Sequence, residues 1–139
     1  MNQGKIIIIE DEPDIFKILM MSEGYEFLDA PDGETAKEIL TTANNLWEVG
    51  LIILDIRMSS VKGMQSLDLL TRQVPWIPLL AITGFPDKNL ESLILDKGAK
   101  GVLVKPLEKE TLLEMVGKLF FVKETSEDDV LSVVKFINK

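Results

Sequence analysis

Short apolar runs alternate five times with stretches of helical periodicity, and this alternation constrains the fold more than any other feature of the sequence. The runs at 5–9 and 51–54 are continuous and aliphatic, which is typical of strands buried on both faces. The connections between runs are too short for anything but crossover helices. The sequence therefore predicts an α/β fold, a doubly wound parallel sheet with right-handed crossovers. The predicted strands cover 5–9, 25–30, 51–55, 77–83 and 102–104.

Each predicted strand is followed by a predicted helix. Pro13 suits the first turn of the first helix, and the turn at 31–33 starts the second. The third helix is predicted over 64–73 and the fifth over 109–122, while Asp87 is placed to cap the fourth. The predicted inward-facing residues of the third and fourth helices are Leu67, Leu70, Leu90, Leu93 and Ile94.

Composition excludes several classes of function. With 139 residues, 46% hydrophobic and 27% charged, the chain has the size and balance of one globular domain. Its formal net charge of −8 argues against a nucleic-acid-binding surface. The lack of cysteine and histidine excludes disulfides, thiolate metal sites and histidine-based catalysis. Neither a membrane span nor a signal peptide is recognised, so we expect a cytoplasmic protein with no membrane partner.

The last segment differs in composition from the rest of the chain. Residues 123–129 are polar and acidic, as in a linker, and Ser126 with Asp129 fits a capping box. One helical stripe then follows, formed by Val130, Val133, Val134 and Ile137. We therefore expect a domain over 1–122, followed by a polar linker and an extra C-terminal helix over 123–139.

Polar side chains lie at the C-terminal ends of four predicted strands. They are Glu10 with Asp11, Asp55, Thr83 and Lys105. In a sheet of order 2-1-3-4-5 the three carboxylates would converge in one crevice, where their like charges need compensation. Mg²⁺ prefers a few carboxylates plus water, so a magnesium site is expected. A lysine and a hydroxyl suit the oxygens of a transferred phosphoryl group, and a carboxylate nucleophile beside a metal forms an aspartyl phosphate.

Each of these residues also has an ordinary structural interpretation. The acidic residues at 10–12 could cap a helix, Asp55 and Thr83 could belong to turns, and Lys105 could be a surface lysine. Four such features on one edge of a sheet would rarely arise together by chance. Their conjunction is what favours a functional site.

Four stretches resemble a known family: IIIIEDE at 6–12, LIILDIRMSSVKG at 51–63, AITG at 81–84 and GVLVKP at 101–106. In this order and at these spacings, the chain resembles the receiver domain of bacterial two-component response regulators from residue 5 to about residue 122. The resemblance implies a flavodoxin-like sheet of five strands in the order 2-1-3-4-5. It also implies phosphoryl transfer from a histidine kinase or a phosphotransfer protein, with Mg²⁺ as the cofactor.

The resemblance assigns roles to particular residues. Asp55 matches the phosphoacceptor, Lys105 the lysine that pairs with it, and Thr83 the hydroxyl that swings onto the phosphoryl group. Asp11 would bind the metal directly and Glu10 through water. The implied metal ligands are Glu10, Asp11, Asp55 and the backbone carbonyl of Arg57. The resemblance also implies a cis peptide bond between Lys105 and Pro106.

Three features depart from the family pattern. Ser59 replaces the usual proline in the loop after the acceptor, and the first helix, over 13–23, is about one turn short. Val102 occupies the switch position three residues before the lysine, where the family has an aromatic residue.

Activation is therefore expected without an aromatic flip. Either the loop at 84–87 moves as a unit and carries Phe85, or the switch is weak. The expected readout surface is the face of the fourth helix, the fifth strand and the fifth helix. A homodimer would use this face or the C-terminal helix.

The sequence is thus interpreted as a phosphoacceptor switch that promotes only its own phosphorylation and dephosphorylation and is not a turnover enzyme. One alternative is a pseudo-receiver, a phosphorylation-independent interaction module, although the intact Asp55, Thr83 and Lys105 argue against it. Another is a haloacid-dehalogenase-like phosphatase, which also uses a nucleophilic aspartate. That family requires a second aspartate two residues later, where this chain has Arg57.

Overall fold

The order of helices and strands follows the predicted alternation. A computed structural model describes residues 4–10, 24–42, 48–56 and 61–120. Its strands are β1 (Gly4–Ile9), β2 (Tyr25–Ala30), β3 (Val49–Ile56), β4 (Leu79–Thr83) and β5 (Gly101–Val104). Its helices are α1 (Gly33–Leu40), α2 (Val61–Gln73), α3 (Lys88–Asp96) and α4 (Lys109–Leu119). These four helices correspond to the second, third, fourth and fifth of the helices that the sequence predicts. The predicted helices over 13–23 and near the C-terminus lie outside the described residues.

The described strands form one parallel sheet in the order β2-β1-β3-β4-β5, as predicted. β3 is central, and its aliphatic residues are buried as expected for a strand covered on both faces. Asp55 of β3 pairs in register with Ile82 of β4, and Thr83 pairs with Val104 of β5. The polar residues that end these strands therefore meet at one edge of the sheet.

Two apolar layers attach the helices to the sheet, because successive strand residues point to opposite faces. One layer contains Ile7 and Ile52 and is covered by α1, α2 and α3. The helix residues buried there are Ala36, Leu40, Leu67, Leu70 and Ile94. The other layer contains Ile6 and Ile53 and is covered by α4 through its buried residues Leu112 and Val116. This arrangement is the doubly wound architecture that the sequence predicts. Among the described helices, none is both long and apolar enough to cross a membrane.

The predicted inward face of α3 is wrong at one position. Ile94 is buried and Leu90 packs against the same layer, as predicted. Leu93 is 46% exposed, however. Successive residues are about 100° apart around a helix, so Leu93 lies to one side of the stripe that Leu90 and Ile94 form. Asp87 caps α3 as expected, since its carboxylate accepts the Asn89 and Leu90 N–H groups.

The predicted ends of three elements also need correction. α4 ends at Leu119 rather than at residue 122, because Phe120 leaves the helical conformation with ψ 118°. The Phe120 ring instead packs against Tyr25, with 5.0 Å between ring centroids. β4 begins at Leu79 rather than at residue 77, since Pro78 has no N–H to donate to a ladder. The helix predicted over 64–73 starts three residues earlier, at Val61.

The contact between α1 and α2 leaves no room for a side chain at Gly33. A Cβ atom there would lie 2.6 Å from Ser66 Oγ and 2.9 Å from Ser66 Cα.

We expect Gly33→Ala to lower the free energy of unfolding by about 1–3 kcal/mol, because α1 or α2 must shift. Gly117 in α4 is the matched control, since a Cβ there meets nothing within 4 Å. Gly117→Ala should raise stability by about 0.5–1 kcal/mol through helix propensity. Urea unfolding measures both, and equal stabilities would contradict the tight α1–α2 contact.

Candidate functional site

Asp55 lies one residue before the end of the central strand β3. Its side chain is only 10% exposed. By alternation along the strand it shares a sheet face with Leu51 and Ile53, and it pairs in register with Ile82. A carboxylate among aliphatic side chains requires a charged or hydrogen-bonding partner.

Lys105 is that partner. It directly follows β5, and its backbone N–H donates to the Thr83 carbonyl at 2.8 Å, which extends the β4–β5 ladder. Because β4 lies between β3 and β5, the side chains of Lys105 and Asp55 together bridge two strand spacings of about 4.8 Å each. Its Nζ lies 2.8 Å from Asp55 Oδ2. The peptide bond between Lys105 and Pro106 is cis, which confirms that prediction.

Thr83 ends β4 with a fully buried side chain. It pairs in register with Ile56, so it lies one residue beyond the level of Asp55. Its Oγ1 accepts the Phe85 N–H at 3.1 Å. The Thr83 hydroxyl thus lies at the expected edge of the sheet, with its oxygen hydrogen-bonded to the loop that follows β4.

Glu10 directly follows β1. Because Ile9 pairs with Leu54, Glu10 is level with Asp55 on the neighbouring strand. Carboxylates at adjacent strand ends are the oxygen ligands that a hard divalent cation prefers, so these two residues fit the expected Mg²⁺ site. Within the described ranges no group of three or more metal-ligating side chains occurs. The other expected ligands, Asp11 and Arg57, lie outside those ranges.

Val102, the expected switch position, lies on β5 beside Ala81 of β4. It is half-buried and packs against the layer covered by α1, α2 and α3. β5 has the sequence GVLV, so this strand offers no aromatic ring next to Thr83. The other two departures from the family pattern, Ser59 and the short first helix, lie outside the described residues.

A cleft of about 490 Å³ between α1 and α2 was not predicted. Side chains of both charges line it, including Asp32, Lys62 and Arg72. Asp32 caps α1, and hydrogen bonds from Thr35, chiefly from its backbone N–H at 2.7 Å, lower the pKa of the Asp32 carboxyl. The cleft arises from the packing of two helices, so no local sequence signal could have indicated it. None of Asp55, Thr83 and Lys105 lines it.

The sequence matches the model of the family that it was found to resemble. The family model described as the response regulator receiver domain matches residues 6–117. The chain belongs to this family. The match runs from β1 almost to the end of α4 and includes every described residue of the Asp55 site. The interpretation as a haloacid-dehalogenase-like phosphatase is therefore wrong.

Curated relatives of the chain include transcriptional and response regulators. The transcriptional regulatory protein DegU of Brevibacillus brevis is 30% identical over 122 residues, which cover 83% of this chain and 50% of DegU. The response regulator protein FleR of Pseudomonas aeruginosa is 29% identical over 120 residues, which cover 83% of this chain and 24% of FleR. The chain thus spans half or less of the length of these relatives.

Solved structures share the fold. A response regulator receiver domain protein from Clostridium thermocellum is 27% identical with a TM-score of 0.72, covering 84% of this chain and 93% of that one. A CheX–CheY–BeF3–Mg complex from Borrelia burgdorferi has the same identity of 27% and TM-score of 0.72, covering 88% of this chain and 92% of that one. These similarities support the receiver fold from β1 to α4.

Proposed function

We propose that this receiver domain accepts a phosphoryl group on Asp55 from a histidine kinase or a phosphotransfer protein. The 2.8 Å contact between Lys105 Nζ and Asp55 Oδ2 is the observation that carries the proposal. It holds a cation beside a nearly buried carboxylate, where the oxygens of an incoming phosphoryl group would need one. The solved relative in complex with BeF3 and Mg²⁺ supports the same chemistry.

In the proposed transfer, an Asp55 carboxylate oxygen attacks the phosphorus of the donor. A new P–O bond forms while the bond from phosphorus to the donor breaks, and its electron pair leaves with the donor. The Lys105 ammonium group then pairs with the phosphoryl oxygens, and the Thr83 hydroxyl donates a hydrogen bond to one of them. Mg²⁺ held by Glu10, Asp11, Asp55 and the Arg57 carbonyl would supply further positive charge at these oxygens. Attack of water on the phosphorus of the acyl phosphate breaks the bond to the Asp55 oxygen, releases inorganic phosphate and returns Asp55 to the free carboxylate.

The proposed role is that of a switch without enzymatic turnover. The transferred group stays on the domain until it is hydrolysed, and the change in charge at Asp55 alters the surface of the domain. The family match and the regulator relatives support this role, and the comparisons do not support the pseudo-receiver alternative. We further propose that residues 1–122 form the receiver, that 123–139 add a linker and a helix, and that the protein acts in the cytoplasm.

We propose partner surfaces on the basis of exposed apolar side chains and an edge strand. Leu93 and Leu95 of α3 are each 46% exposed, and β5 is an edge strand half-covered on one face. A homodimer would bury the face made by α3, β5 and α4, or would use the C-terminal helix. The net charge of −8 gives no basis for a nucleic-acid partner, and no membrane partner is proposed.

Labelling of the full chain by a small phosphodonor tests the proposed function. Acetyl phosphate with Mg²⁺ should add one phosphoryl group per chain, because Asp55 is a single acceptor. Chelation of Mg²⁺ should prevent the label, since the carboxylates would then repel the anionic donor. Intact-protein mass spectrometry with and without a chelator reads both results. A chain that remains unmodified at saturating donor and Mg²⁺ would refute the proposal.

A further inference from the structure

The described part of the chain ends at the edge of the sheet where the strands begin. Gly4 and Tyr25, the first residues of β1 and β2, pair with each other at this edge. The Phe120 ring packs against Tyr25, and a Cβ at Gly4 would lie 2.7 Å from the same ring. These contacts fix the end of α4, so the residues after Phe120 start from the N-terminal edge of the sheet.

An exposed tryptophan lies at the same edge. Trp76 comes shortly before β4 and is 42% exposed, and Pro75 beside it is exposed as well. The last turn of α3 adds Leu95, which is 46% exposed. α3 is held beside α2 at this end, because Lys97 Nζ lies 3.0 Å from a carboxylate oxygen of Asp68. The N-terminal edge therefore offers apolar surface that a further segment could cover.

Two exposed cations accompany this apolar surface. Arg72 precedes Trp76 by one turn, in the last turn of α2. Lys100 is level with the start of β4, because its N–H donates to the Leu79 carbonyl at 2.9 Å. Arg72 Nε donates to the backbone carbonyl of Asp68 at 3.2 Å. Within the described ranges neither cation pairs with a carboxylate, so both can attract an acidic segment.

The C-terminal segment has the complementary composition. Residues 123–129, KETSEDD, contain four acidic residues and one lysine. The predicted helix that follows has one apolar stripe, formed by Val130, Val133, Val134 and Ile137. A helix of about ten residues is not stable alone in water, so this stripe needs an apolar surface to pack against.

The chain is long enough to bring this stripe to Trp76. β4 lies two strands from β1 in the sheet, a distance of about 10 Å. Residues 121–129 can span up to about 30 Å when they are extended. A tether of this length gives an effective concentration on the order of millimolar, which favours docking on the same chain over docking on a second copy.

We propose that the segment 123–139 docks on its own domain at the N-terminal edge of the sheet. Its apolar stripe packs against Trp76, and its acidic linker lies beside Arg72 and Lys100. Asp55 lies near the end of β3, so the docked segment covers the edge opposite to the phosphoryl-acceptor site. This inference rests on the proposed helix within 123–139 and does not require phosphoryl transfer.

Fluorescence of Trp76 in the full chain tests the docking. The sequence contains two tryptophans, Trp47 and Trp76, so Trp47→Phe leaves Trp76 as the only one. In this background Val133→Asp should lower the docking equilibrium constant at least about tenfold, because a buried valine is lost. Emission should shift to longer wavelength, and acrylamide should quench it more strongly. Ser132→Asp is the matched control, since it adds the same charge on the opposite side of the predicted helix.

The control should emit and be quenched like the Trp47→Phe chain, and circular dichroism confirms that each variant folds. Equal emission and quenching of Trp76 in Val133→Asp and in the Trp47→Phe chain would overturn the docking. Emission that depends on protein concentration would also overturn it, because the occupant would then be a second copy.

Neutralisation of Lys100 tests the placement of the acidic linker. In the same background Lys100→Gln should lower the docking equilibrium constant by up to about fivefold, because an exposed ion pair is lost. Quenching of Trp76 should then be intermediate between that of the Trp47→Phe chain and that of Val133→Asp. Lys88→Gln, at the other end of α3, removes an exposed lysine away from this edge and should have no effect. Equal quenching in Lys88→Gln and Lys100→Gln would overturn this placement.

Disulfide formation gives a test that does not depend on fluorescence. The chain has no cysteine, so one introduced pair can form one defined disulfide. Gln73→Cys lies at an exposed position near Trp76. Combined with Val134→Cys it should close an intramolecular disulfide faster than when it is combined with Ser132→Cys. Equal rates, or a covalent dimer as the main product in non-reducing electrophoresis, would overturn the docking.

Labelling by acetyl phosphate separates this inference from the proposed function. A chain that takes the label on Asp55 but shows no docking refutes the docking alone. A chain that docks its C-terminal segment but takes no label refutes the phosphoryl transfer alone.

Discussion

Asp55→Asn should abolish the phosphoryl label that acetyl phosphate and Mg²⁺ add to the full chain. The amide is isosteric with the carboxylate but lacks the anionic oxygen that must attack phosphorus. The site should still fold, because asparagine can occupy the same space at the end of β3. Its amide oxygen can also accept a hydrogen bond from Lys105 in place of the 2.8 Å ion pair. The measurement is the intact mass after a fixed exposure to donor, with circular dichroism to confirm folding.

Asp29→Asn is the matched control for this substitution. Asp29 is an exposed carboxylate on the edge strand β2, so its variant should take the label as the wild type does. Fragmentation of the labelled wild-type chain should place the phosphoryl group within β3. A folded Asp55→Asn chain that still gains one phosphoryl group would show that another residue is the acceptor.

The sheet could be predicted because short stretches of the sequence are enough to identify its strands. Continuous aliphatic runs such as 5–9 and 51–54 identify strands buried on both faces, and short helical connections leave only crossover topology. β2 is found at Tyr25–Ala30, as expected, and the strand order is as predicted. The prediction is wrong where a tertiary contact determines the end of a helix. Phe120 packs against Tyr25, and α4 ends there. Periodicity also wrongly placed Leu93 on the buried face of α3. Three leucine or isoleucine residues within one turn fit more than one helical stripe.

The site could be predicted in part, for a different reason. Parallel strands bring their carboxyl ends to one edge, so Asp55, Thr83 and Lys105 were expected together, and the resemblance named their roles. The ion pair between Asp55 and Lys105 agrees with this expectation. Sequence could not show that Thr83 Oγ1 accepts the Phe85 N–H, since that bond depends on a side-chain rotamer and on the shape of the loop. It could not show the Lys97–Asp68 pair either, which joins residues 29 apart on two helices.

Lys105→Met should slow phosphorylation of Asp55 and also destabilise the fold, whereas Asp55→Asn should not destabilise it. The two partners are unequally buried, with the Asp55 side chain 10% exposed and that of Lys105 38% exposed. Without Lys105, a nearly buried carboxylate loses its cation and lies beside Glu10 with like charge. Without the Asp55 charge, the lysine can turn toward water. Because the lysine end is already partly solvated, we expect Lys105→Met to lower the free energy of unfolding by only about 1–2 kcal/mol.

The effect of Lys105→Met on labelling should be larger than its effect on stability. A charged hydrogen bond to the phosphoryl oxygens contributes about 1.5–3 kcal/mol, so its loss should slow the labelling rate by roughly 10- to 150-fold. Lys105→Arg keeps the charge and should recover part of that rate, and Lys109→Met, an exposed lysine at the start of α4, should label normally. In the double variant Asp55→Asn with Lys105→Met, stability should return close to that of Asp55→Asn alone, because no unpaired carboxylate remains at position 55. Destabilisation by Lys105→Met that persists undiminished in the double variant would mean that the lysine stabilises the fold through packing of its aliphatic stem rather than through its charge.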